Sequence, residues 1–422
     1  MGSQKKEREM RPVVLLVTSC RWFATARIAI AFAEAGCQID IVCPTGHPVG
    51  KTEVVRRQFT YRGLRPLSSI QRAIASSKPS LIIPCDDRAI ADLLRLATTT
   101  DDASIRSAIE KSLGRPDGYK AMLARSAMMR LTNDAGGCVP ETAEVADMDS
   151  LRAWLTDHGF PAYLKVDGTS GGVGVIATQN WKDAENAFNR LSKPPELARV
   201  LKRIIVNRDA THVLPFLKRI RPLVNVQKAI VGPETNSAIA CWQGKLLAGI
   251  HVEVLERQDS AGHATVLRVI DNKEMQDIAE KVAQRLHLSG LFGLDYIIDR
   301  NSGRAYLIEM NVRATQTCHL RLGPGRSPIA SLAAAMAAAS SEDVKIDTKL
   351  DTIALFPQEW KRNPASHYLR EAFHDIPWSY PGLIRSSIKW RLEDQKILPF
   401  SEWFRHRKLF KTTENNSEQQ NL

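Results

Sequence analysis

The sequence predicts an α/β protein, and three observations lead to this prediction. Short apolar runs alternate with amphipathic stretches in the N-terminal quarter of the chain, which is the pattern of a parallel sheet covered by helices. The stretch Leu291–Arg313 has the pattern of a β-hairpin that carries several polar side chains. The length of 422 residues fits two or three domains, at roughly 150 residues per domain.

The N-terminal unit is predicted from alternating strand and helix patterns. Val13–Val17 is a buried strand by composition, and a helix from Trp22 to Ala35 follows and ends at Gly36, a residue that favours helix C-termini. The next strands are expected at Gln38–Val42 and Leu81–Pro84, and a helix is expected at Ala89–Leu96. This alternation indicates a small parallel α/β domain.

Two acidic residues, Asp86 and Asp87, come directly after the strand at Leu81–Pro84. Open α/β sheets place ligands at the carboxyl ends of their strands, but an N-cap for the next helix explains the pair equally simply, and we favour the cap. Neither the glycine-rich dinucleotide-binding motif nor a P-loop is present in this unit. The first strand–helix turn has no glycine, and Gly46–Thr52 has three residues between its glycines where a P-loop has four.

Composition limits the function classes. A formal charge of +12 and a pI near 9.4 favour anionic ligands. The N-terminus is charged, and the chain has neither a signal peptide pattern nor an apolar run long enough to span a membrane. Seven cysteines without a CxxC pair indicate reduced thiols of a cytoplasmic protein. No nucleic-acid-binding module is recognised, so we expect no nucleic acid partner.

The polar side chains of the hairpin are its unusual feature. Asp295 lies among apolar residues, and Glu309, Asn311 and Arg313 follow one another at intervals of two, so they share one face of a strand. A buried carboxylate needs a partner. The partner is either a hard cation such as Mg²⁺, which binds carboxylate and amide oxygens, or an arginine in a simple surface ion pair.

A glycine-rich turn follows an apolar strand that contains a lysine. Phe160–Val166 carries Lys165, and Asp167–Gly174 contains four glycines together with Thr169 and Ser170. Glycines let main-chain N–H groups approach phosphate oxygens closely. We favour a phosphate-binding flap over a loose hairpin turn, because four glycines after a buried lysine exceed what a turn requires.

Further elements are predicted downstream. Residues 180–213 read as helical, with a break at Pro194-Pro195. Leu223–Ile230 reads as a strand onto which Ile239–Trp242 pairs back. The remaining predictions are a strand at Ala248–Val254, a helix at Met275–Leu286, and an alanine-rich helix at Ser327–Ala339 that packs on the sheet.

In this order the motifs resemble the ATP-grasp superfamily. They are a lysine before a helix (Lys120), the lysine and flap, the stretch from Gln227 to Glu234, Gly-x-Asp at Asp295, and Glu-x-Asn-x-Arg at Glu309. The resemblance covers roughly residues 117–321. It implies an ATP-grasp fold preceded by a small parallel α/β, Rossmann-like domain.

The resemblance also implies residue roles. Lys120 and Lys165 match phosphate-binding lysines, and Asp295, Glu309 and Asn311 match Mg²⁺ ligands. Arg313 matches the arginine beside the transferred phosphoryl group, so Arg313 and Lys165 are the expected catalytic residues. The remaining ATP-binding matches are the flap residues Thr169, Ser170, Gly171, Gly172 and Gly174, and the hinge residues Gln227, Lys228, Ile230 and Glu234, although glutamate is commoner in the family at position 227.

The activity implied is an ATP- and Mg²⁺-dependent ligase that activates a small carboxylate as an acyl phosphate for attack by an amine. A kinase or a carboxylase-like enzyme on the same scaffold, and a nucleotide-dependent binding protein, are the alternatives. A homodimer is common among proteins that resemble this one. The substrate candidates are Ser19, Arg21, His251, Glu253, Arg268, His319 and Arg321; of these Arg268 and Arg321 suit a carboxylate best, because arginine binds carboxylates bidentately.

We expect five segments. They are an N-terminal α/β domain (1–115), a lid with the lysines and flap (116–225), a portion with the hinge and metal hairpin (226–345), an aromatic and basic extension (346–410) and a disordered tail (411–422). Residues 398–411 mix aromatic and basic side chains, as in segments that lie on an anionic membrane or a protein partner. Docking of these aromatics on the protein's own core is the favoured alternative.

Overall fold

The computed structural model describes residues 11–167, 174–194, 197, 200, 216–259, 262–337 and 345–388. The strands are β1 (Val13–Val17), β2 (Gln38–Cys43), β3 (Val55–Thr60), β4 (Leu81–Pro84), β5 (Thr142–Val145), β6 (Ala162–Val166), β7 (Val175–Thr178), β8 (Val224–Lys228), β9 (Glu234–Trp242), β10 (Lys245–Arg257), β11 (Ala264–Ile270), β12 (Gly290–Ile298), β13 (Ala305–Asn311), β14 (Thr352–Ala354) and β15 (Phe373–His374).

The α-helices lie between these strands and after them. They are α1 (Phe23–Glu34), α2 (Pro66–Ser77), α3 (Asp87–Thr99), α4 (Ala103–Leu113), α5 (Tyr119–Leu123), α6 (Arg125–Asp134), α7 (Met148–His158), α8 (Trp181–Leu191), α9 (Lys273–Leu286), α10 (Pro328–Ala337), α11 (Gln358–Arg362), α12 (Tyr368–Glu371) and α13 (Pro381–Ile388).

The N-terminal unit is a parallel four-stranded sheet in the order β3-β2-β1-β4. This confirms the predicted α/β domain. Helix α1 ends at Glu34, and Gly36 follows with a φ of 85°, in the left-handed region that glycine tolerates. The chain runs from β1 toward β2 on one side and returns to β4 on the other, so the carboxyl ends of β1 and β4 form the topological switch point of the sheet.

The lid is a separate four-stranded sheet in the order β5-β8-β6-β7. Its strands pair antiparallel, and helices α7 and α8 cover it. A small core holds the lid together, with Leu151, Leu164, Phe188 and Val226 among its buried residues. The lid therefore has apolar packing of its own.

The third sheet has seven strands in the order β13-β12-β9-β10-β11-β14-β15. All of its pairings are antiparallel except that of β14 with β15. The predicted hairpin is present as β12 and β13, and α9 packs on one face of the sheet through Met275, Ile278 and Val282. Helix α10 packs on the sheet as predicted, with Ile329 and Leu332 buried.

The predicted pairing of Ile239–Trp242 with Leu223–Ile230 is wrong. Strand β8 belongs to the lid, whereas β9 lies between β10 and β12 in the large sheet. The connection between them crosses from one sheet to the other beside the end of β12. Gly232 packs against the carbonyl of Ile298, where an added Cβ would lie 1.8 Å from the oxygen.

Two predicted domain boundaries do not coincide with the sheets of the structure. The predicted boundary at residues 225/226 cuts through β8, so Gln227 and Lys228 lie on a lid strand. The predicted extension from residue 346 contributes strands β14 and β15 to the large sheet. Residues 398–411, and the stretch after Pro194 predicted as helical up to residue 213, lie outside the described residues apart from residues 197 and 200.

No helix in the described part of the chain is both long and apolar enough to cross a membrane. The seven cysteines are all free thiols. Burial raises the pKa of several of them, for example that of Cys37 to about 12.

Gly114 provides a test of how the N-terminal unit joins the large sheet. It has a φ of 82° and a ψ of −166°, and an added Cβ would lie 2.0 Å from the carbonyl oxygen of Leu286 in α9. We expect Gly114→Ala to lower the free energy of unfolding by about 2 kcal/mol more than Gly159→Ala. Gly159 has nearly the same backbone angles, with a φ of 71° and a ψ of −166°, but nothing lies within 4 Å of the added Cβ.

Urea denaturation of both variants measures this difference. The matched φ and ψ of Gly114 and Gly159 isolate the clash with α9 from backbone strain. Equal losses in the two variants would show that the contact with Leu286 relaxes without cost.

Candidate active site

Two carboxylates face each other across the hairpin. The register pairs Asp295 of β12 with Glu309 of β13, and the next pair is Tyr296 with Leu307, so β13 has a bulge at Ile308. Tyr296 points into the core and is fully buried, so Asp295 points to the opposite face. The sheet therefore presents Asp295 and Glu309 side by side in the cleft beneath the lid.

Asn311 and Arg313 extend this pair along the same face. The Asn311 amide donates to Oδ2 of Asp295 at 2.9 Å, and Nη2 of Arg313 donates to Oδ1 of Asn311 at 3.1 Å. Hydrogen bonds thus link Asp295, Asn311 and Arg313, and Glu309 lies beside Asp295 in the same polar row. The alternation predicted from the sequence brings them together.

The N-terminal unit joins the row through Asp87. Its Oδ1 accepts from Nε of Arg313 at 2.6 Å. Asp86 caps α3 as predicted, because its Oδ1 accepts from the main-chain N–H of Ala89. Asp86 also accepts from the hydroxyls of Thr18 and Ser19 at 2.8 Å, so it ties the two loops of the switch point together.

Arg125 is the other cation of the cleft, and it comes from the first position of α6. Its Nη2 donates to Oε1 of Glu309 at 2.6 Å, and its Nη1 donates to the carbonyl of Val166 at 2.8 Å. Its main-chain N–H donates to Asp167, which also accepts from Asn225. Arg125 therefore connects the hairpin to the strand that leads into the flap.

Lys120 is placed differently from Arg125. It is exposed on α5, and within the described contacts it makes no hydrogen bond or ion pair with Lys165, Glu309 or Arg125. The chain breaks between α5 and α6 at Ala124, which has extended backbone angles, so the helix expected after Lys120 is divided into two. Arg125 contacts Glu309, and the phosphate contact of Lys120 stays a prediction.

Lys165 lies in the lid and is buried, with 6% of its surface exposed. Its Nζ donates to Oε1 of Gln227 at 2.6 Å, and the Gln227 amide donates to Thr142. Burial lowers the pKa of Lys165 to about 8, while Glu309 opposes the shift and Arg125 adds to it. A buried ammonium hydrogen-bonded to a neutral amide favours an anionic ligand.

The predicted hinge residues are engaged in the protein's own contacts. The side-chain carbonyl oxygen of Gln227 accepts from Lys165, and its NH₂ group donates to Thr142. Lys228 points outward and pairs with Glu141 at 3.1 Å. Glu234 forms an ion pair with Arg257. Ile230 is half-buried beside the connection between the two sheets.

Asp295 is the carboxylate most affected by its surroundings. Burial and, after it, the neighbouring Glu309 raise its pKa to about 7, although Arg313 and the hydrogen bond from Asn311 oppose the shift. At neutral pH Asp295 is therefore close to half-protonated. A cation bound between the two carboxylates would favour the ionised form.

The flap residues Thr169, Ser170, Gly171 and Gly172 lie outside the described residues. Its two ends are described. Val175 pairs with Lys165 in the hairpin register, and Gly174 has a φ of 82° and accepts from the N–H of Val166. The strands that flank the flap are therefore paired as predicted.

The substrate candidates are all involved in internal contacts. Arg321 pairs with Asp347 at 2.7 Å and with Glu34, and Arg268 pairs with Glu253 at 3.6 Å. His319 is buried and hydrogen-bonded to Asp375, and burial lowers its pKa. The other contacts are Ser19 with Asp86, Arg21 with the Thr45 carbonyl, and His251 with Ser237.

Sequence reasoning missed three residues of the cleft: Asp87, Arg125 and Arg257. Asp87 stood in the sequence as half of a capping pair, and only one member of such a pair can be the cap. Arg125 lies five residues after Lys120 in a chain with many arginines, so nothing local distinguishes it. Arg257 ends a strand and is recognised only through its partner Glu234.

Comparison with protein families matches residues 164–317 to a model described as an ATP-grasp domain. Two curated relatives are similar in sequence. One is the carbamoyl phosphate synthase large chain of Sulfurisphaera tokodaii, 22% identical over 235 residues, or 54% of this chain and 20% of that protein. The other is the arginine-specific large chain of Geobacillus stearothermophilus, 24% identical over 277 residues, or 64% of this chain and 23% of that protein.

Solved structures show the same fold over most of the chain. N5-carboxyaminoimidazole synthetase from Staphylococcus aureus, complexed with ADP, has a TM-score of 0.56 at 14% identity and 80% coverage of both chains. The biotin carboxylase domain of Hydrogenobacter thermophilus 2-oxoglutarate carboxylase has a TM-score of 0.55 at 14% identity, with 79% of this chain and 71% of that chain covered. The chain spans about a fifth of the length of the curated relatives it matches.

The carboxylate pair predicts a stability effect that depends on pH. The pKa of Asp295 in the fold is about 7, above its ordinary value of 3.8, so the folded protein binds this proton more tightly than the unfolded chain does. Stability is therefore lost as the pH rises from about 4 to 7. We expect Asp295→Asn to raise the free energy of unfolding, by about 2 kcal/mol more at pH 8 than at pH 5.

Urea unfolding at the two pH values measures this gain. Asp271→Asn removes an exposed carboxylate that pairs with Arg326 and controls for the general effect of removing a negative charge. A gain of the same size at both pH values would contradict the assignment of the pH-dependent loss of stability to Asp295.

Proposed function

We propose that the chain, whose residues 164–317 match a model of the ATP-grasp domain, is an ATP- and Mg²⁺-dependent ligase that joins a carboxylate to an amine. The observation that carries the proposal is the meeting of three cations, Lys165, Arg125 and Arg313, with the oxygens of Asp295, Glu309 and Asn311 in one cleft. Phosphoryl transfer requires mainly positioning and charge neutralisation, which such a set supplies.

The donor set suits a magnesium ion that is shared with a nucleotide. Asp295, Glu309 and Asn311 offer two carboxylates and one amide, all with hard oxygen atoms. Within the described residues, no group of three or more His, Cys, Asp or Glu side chains could hold a metal ion. Mg²⁺ that keeps waters and phosphate oxygens among its ligands needs few protein ligands, and when bound it would neutralise charge on the phosphates.

The polar contacts of Arg125 and Lys165 support a proposal for where the phosphates would bind. Arg125 pairs with Glu309 and Lys165 with the neutral Gln227, so each cation has a polar partner that a phosphate can replace or join. Because Arg125 reaches the cleft and Lys120 is exposed, we assign to Arg125 the phosphate contact that the sequence predicted for Lys120. Glu234, the first residue of β9, stays the proposed ribose contact.

The proposed reaction has two steps. An oxygen of the substrate carboxylate attacks the γ-phosphorus of ATP, the bond from that phosphorus to the β–γ bridging oxygen breaks, and ADP leaves. The amine nitrogen then attacks the acyl carbon, phosphate departs with its oxygen, and the amine gives up a proton to solvent. Arg313 would stabilise the charge on the transferred group, and Lys165 and Arg125 would hold the phosphates that stay on ADP.

A carboxylase is the second candidate. The solved structures of similar fold include a biotin carboxylase domain in complex with MgADP, ADP and bicarbonate, and an N5-carboxyaminoimidazole synthetase complexed with ADP. Bicarbonate is the smallest carboxylate, so the first step would be the same with the cleft residues in the same roles. The two candidates differ in whether bicarbonate or an organic acid stimulates phosphate release. Dimerisation stays a prediction.

The roles of Arg125 and Lys120 can be separated by substitution. We expect Arg125→Ala to weaken Mg-ATP binding by about 10- to 100-fold, because a charged hydrogen bond to phosphate contributes about 1.5–3 kcal/mol. Lys120→Ala should change the affinity by less than about threefold, because its side chain lies in solvent. Isothermal titration calorimetry measures both constants, and thermal melting checks that Arg125→Ala is folded. A large loss with Lys120→Ala and none with Arg125→Ala would restore the role predicted from the sequence.

Turnover can be tested without knowing the substrate. We would measure phosphate release from Mg-ATP with pools of amino acids, peptides, small carboxylic acids and bicarbonate. Release by the wild type that depends on a pool member, and falls at least about a hundredfold in Glu309→Ala, is expected for a metal-ligand carboxylate. Asp277→Ala, which removes an exposed carboxylate that pairs with Lys273 on α9, is the control and should keep activity. Retained activity in Glu309→Ala would falsify the proposed site.

A further inference from the structure

We infer that Asp87 is a positioning residue for phosphoryl transfer: from the N-terminal unit, its carboxylate holds the guanidinium of Arg313 in the orientation that the transferred group requires. The inference rests on the proposed function, since it gives a role to a residue that acts through Arg313. It adds a contact between two structural units to a site otherwise built by the hairpin and the lid.

The contacts of Arg313 define that orientation. Asp87 accepts along one edge of the guanidinium, at 2.6 Å from Nε and at 3.5 Å from Nη2. Nη2 also donates to Asn311 at 3.1 Å. Nη1 has one long contact among those described, at 3.5 Å to the carbonyl of Ala314. The Nε edge is therefore occupied by protein, and the Nη1 side is the part of the guanidinium that can serve a ligand.

Asp87 is well anchored for this task. It is the first residue of α3, directly after the cap residue Asp86, and the helix packs through buried Ala89, Ile90 and Leu93. Its Cα is therefore fixed by the core of the N-terminal unit. A carboxylate with a fixed backbone can direct a long arginine side chain, which otherwise has several rotamers.

Asp87 also keeps Arg313 apart from the metal-ligand carboxylates. Asp87 is the carboxylate that pairs with Arg313 among the described residues, while Asn311, which is neutral, stands between Arg313 and Asp295. Without the negative charge at Asp87, the arginine would be attracted to Asp295 or Glu309. Such a pair would compete with a metal ion for the same oxygens.

The experiment uses two ligands of the full-length protein. Mg-ADP reports ground-state binding, and Mg-ADP with fluoroaluminate mimics the phosphoryl group in transfer. We expect Asp87→Asn to leave the Mg-ADP affinity within about twofold of wild type and to weaken the fluoroaluminate complex by about tenfold, which corresponds to 1.4 kcal/mol. In an Arg313→Ala background, Asp87→Asn should have no further effect, because the residue acts through the arginine.

Two further variants complete the design. Asp271→Asn removes a carboxylate that binds Arg326 through two contacts of 2.6 and 2.7 Å on the surface, so it is matched in chemistry and should change neither affinity. Asp87→Glu keeps the charge and should recover part of the fluoroaluminate affinity; it also serves as the test if Asp87→Asn does not fold. Thermal melting establishes which variants are folded.

Each outcome bears on the inference. Equal fluoroaluminate affinities in wild type and Asp87→Asn, an equal loss for both ligands, or an undiminished effect of Asp87→Asn without Arg313 would each overturn it. A wild-type chain that binds no Mg-ADP at all overturns the proposed function first, and this result is distinct from a wild type that binds normally and a variant that does not differ from it.

Discussion

The polar structure of the cleft depends on the close approach of two carboxylates. The pairing of β12 with β13 sets Asp295 opposite Glu309, and burial together with this like charge raises the pKa of Asp295 to about 7. Such an arrangement costs stability in the absence of a cation. Arg125 accordingly pairs with Glu309, and Asn311 donates to Asp295. These contacts offset part of the stability cost of the two neighbouring carboxylates, and a metal ion and phosphates could replace them.

The cleft is assembled from three parts of the fold. The hairpin of the large sheet supplies the oxygens, the lid supplies Lys165, and the N-terminal unit supplies Asp87. Arg125 begins the helix that lies between the lid and the hairpin. The lid packs in a core of its own, whereas the N-terminal unit and the large sheet share buried clusters. A ligand bound here would contact the lid as well as the other two parts, so binding would hold the lid against them.

The similarity to known proteins covers the machinery for a nucleotide and says less about the substrates. The solved structures share the fold at 14% identity, and the curated relatives are several times longer than this chain. The arginines predicted for substrate binding, Arg268 and Arg321, are paired with acidic residues of the protein itself. A carboxylate substrate would have to displace those partners or bind elsewhere in the cleft. Substrate pools are therefore a better first approach than a single candidate.

The sequence by itself determined the elements whose patterns are local. The parallel N-terminal sheet, the β12–β13 hairpin and the row of Asp295, Glu309, Asn311 and Arg313 follow from strand alternation and turn residues, because side chains of like parity share a face wherever the strand lies. Tertiary structure alone decided that β8 and β9 belong to different sheets, that Arg125 reaches Glu309 while Lys120 does not, and that Asp87 turns from the cap toward Arg313. Those outcomes depend on contacts between residues far apart in the chain, such as the 226 positions that separate Asp87 from Arg313, and no local periodicity encodes which distant charges will meet.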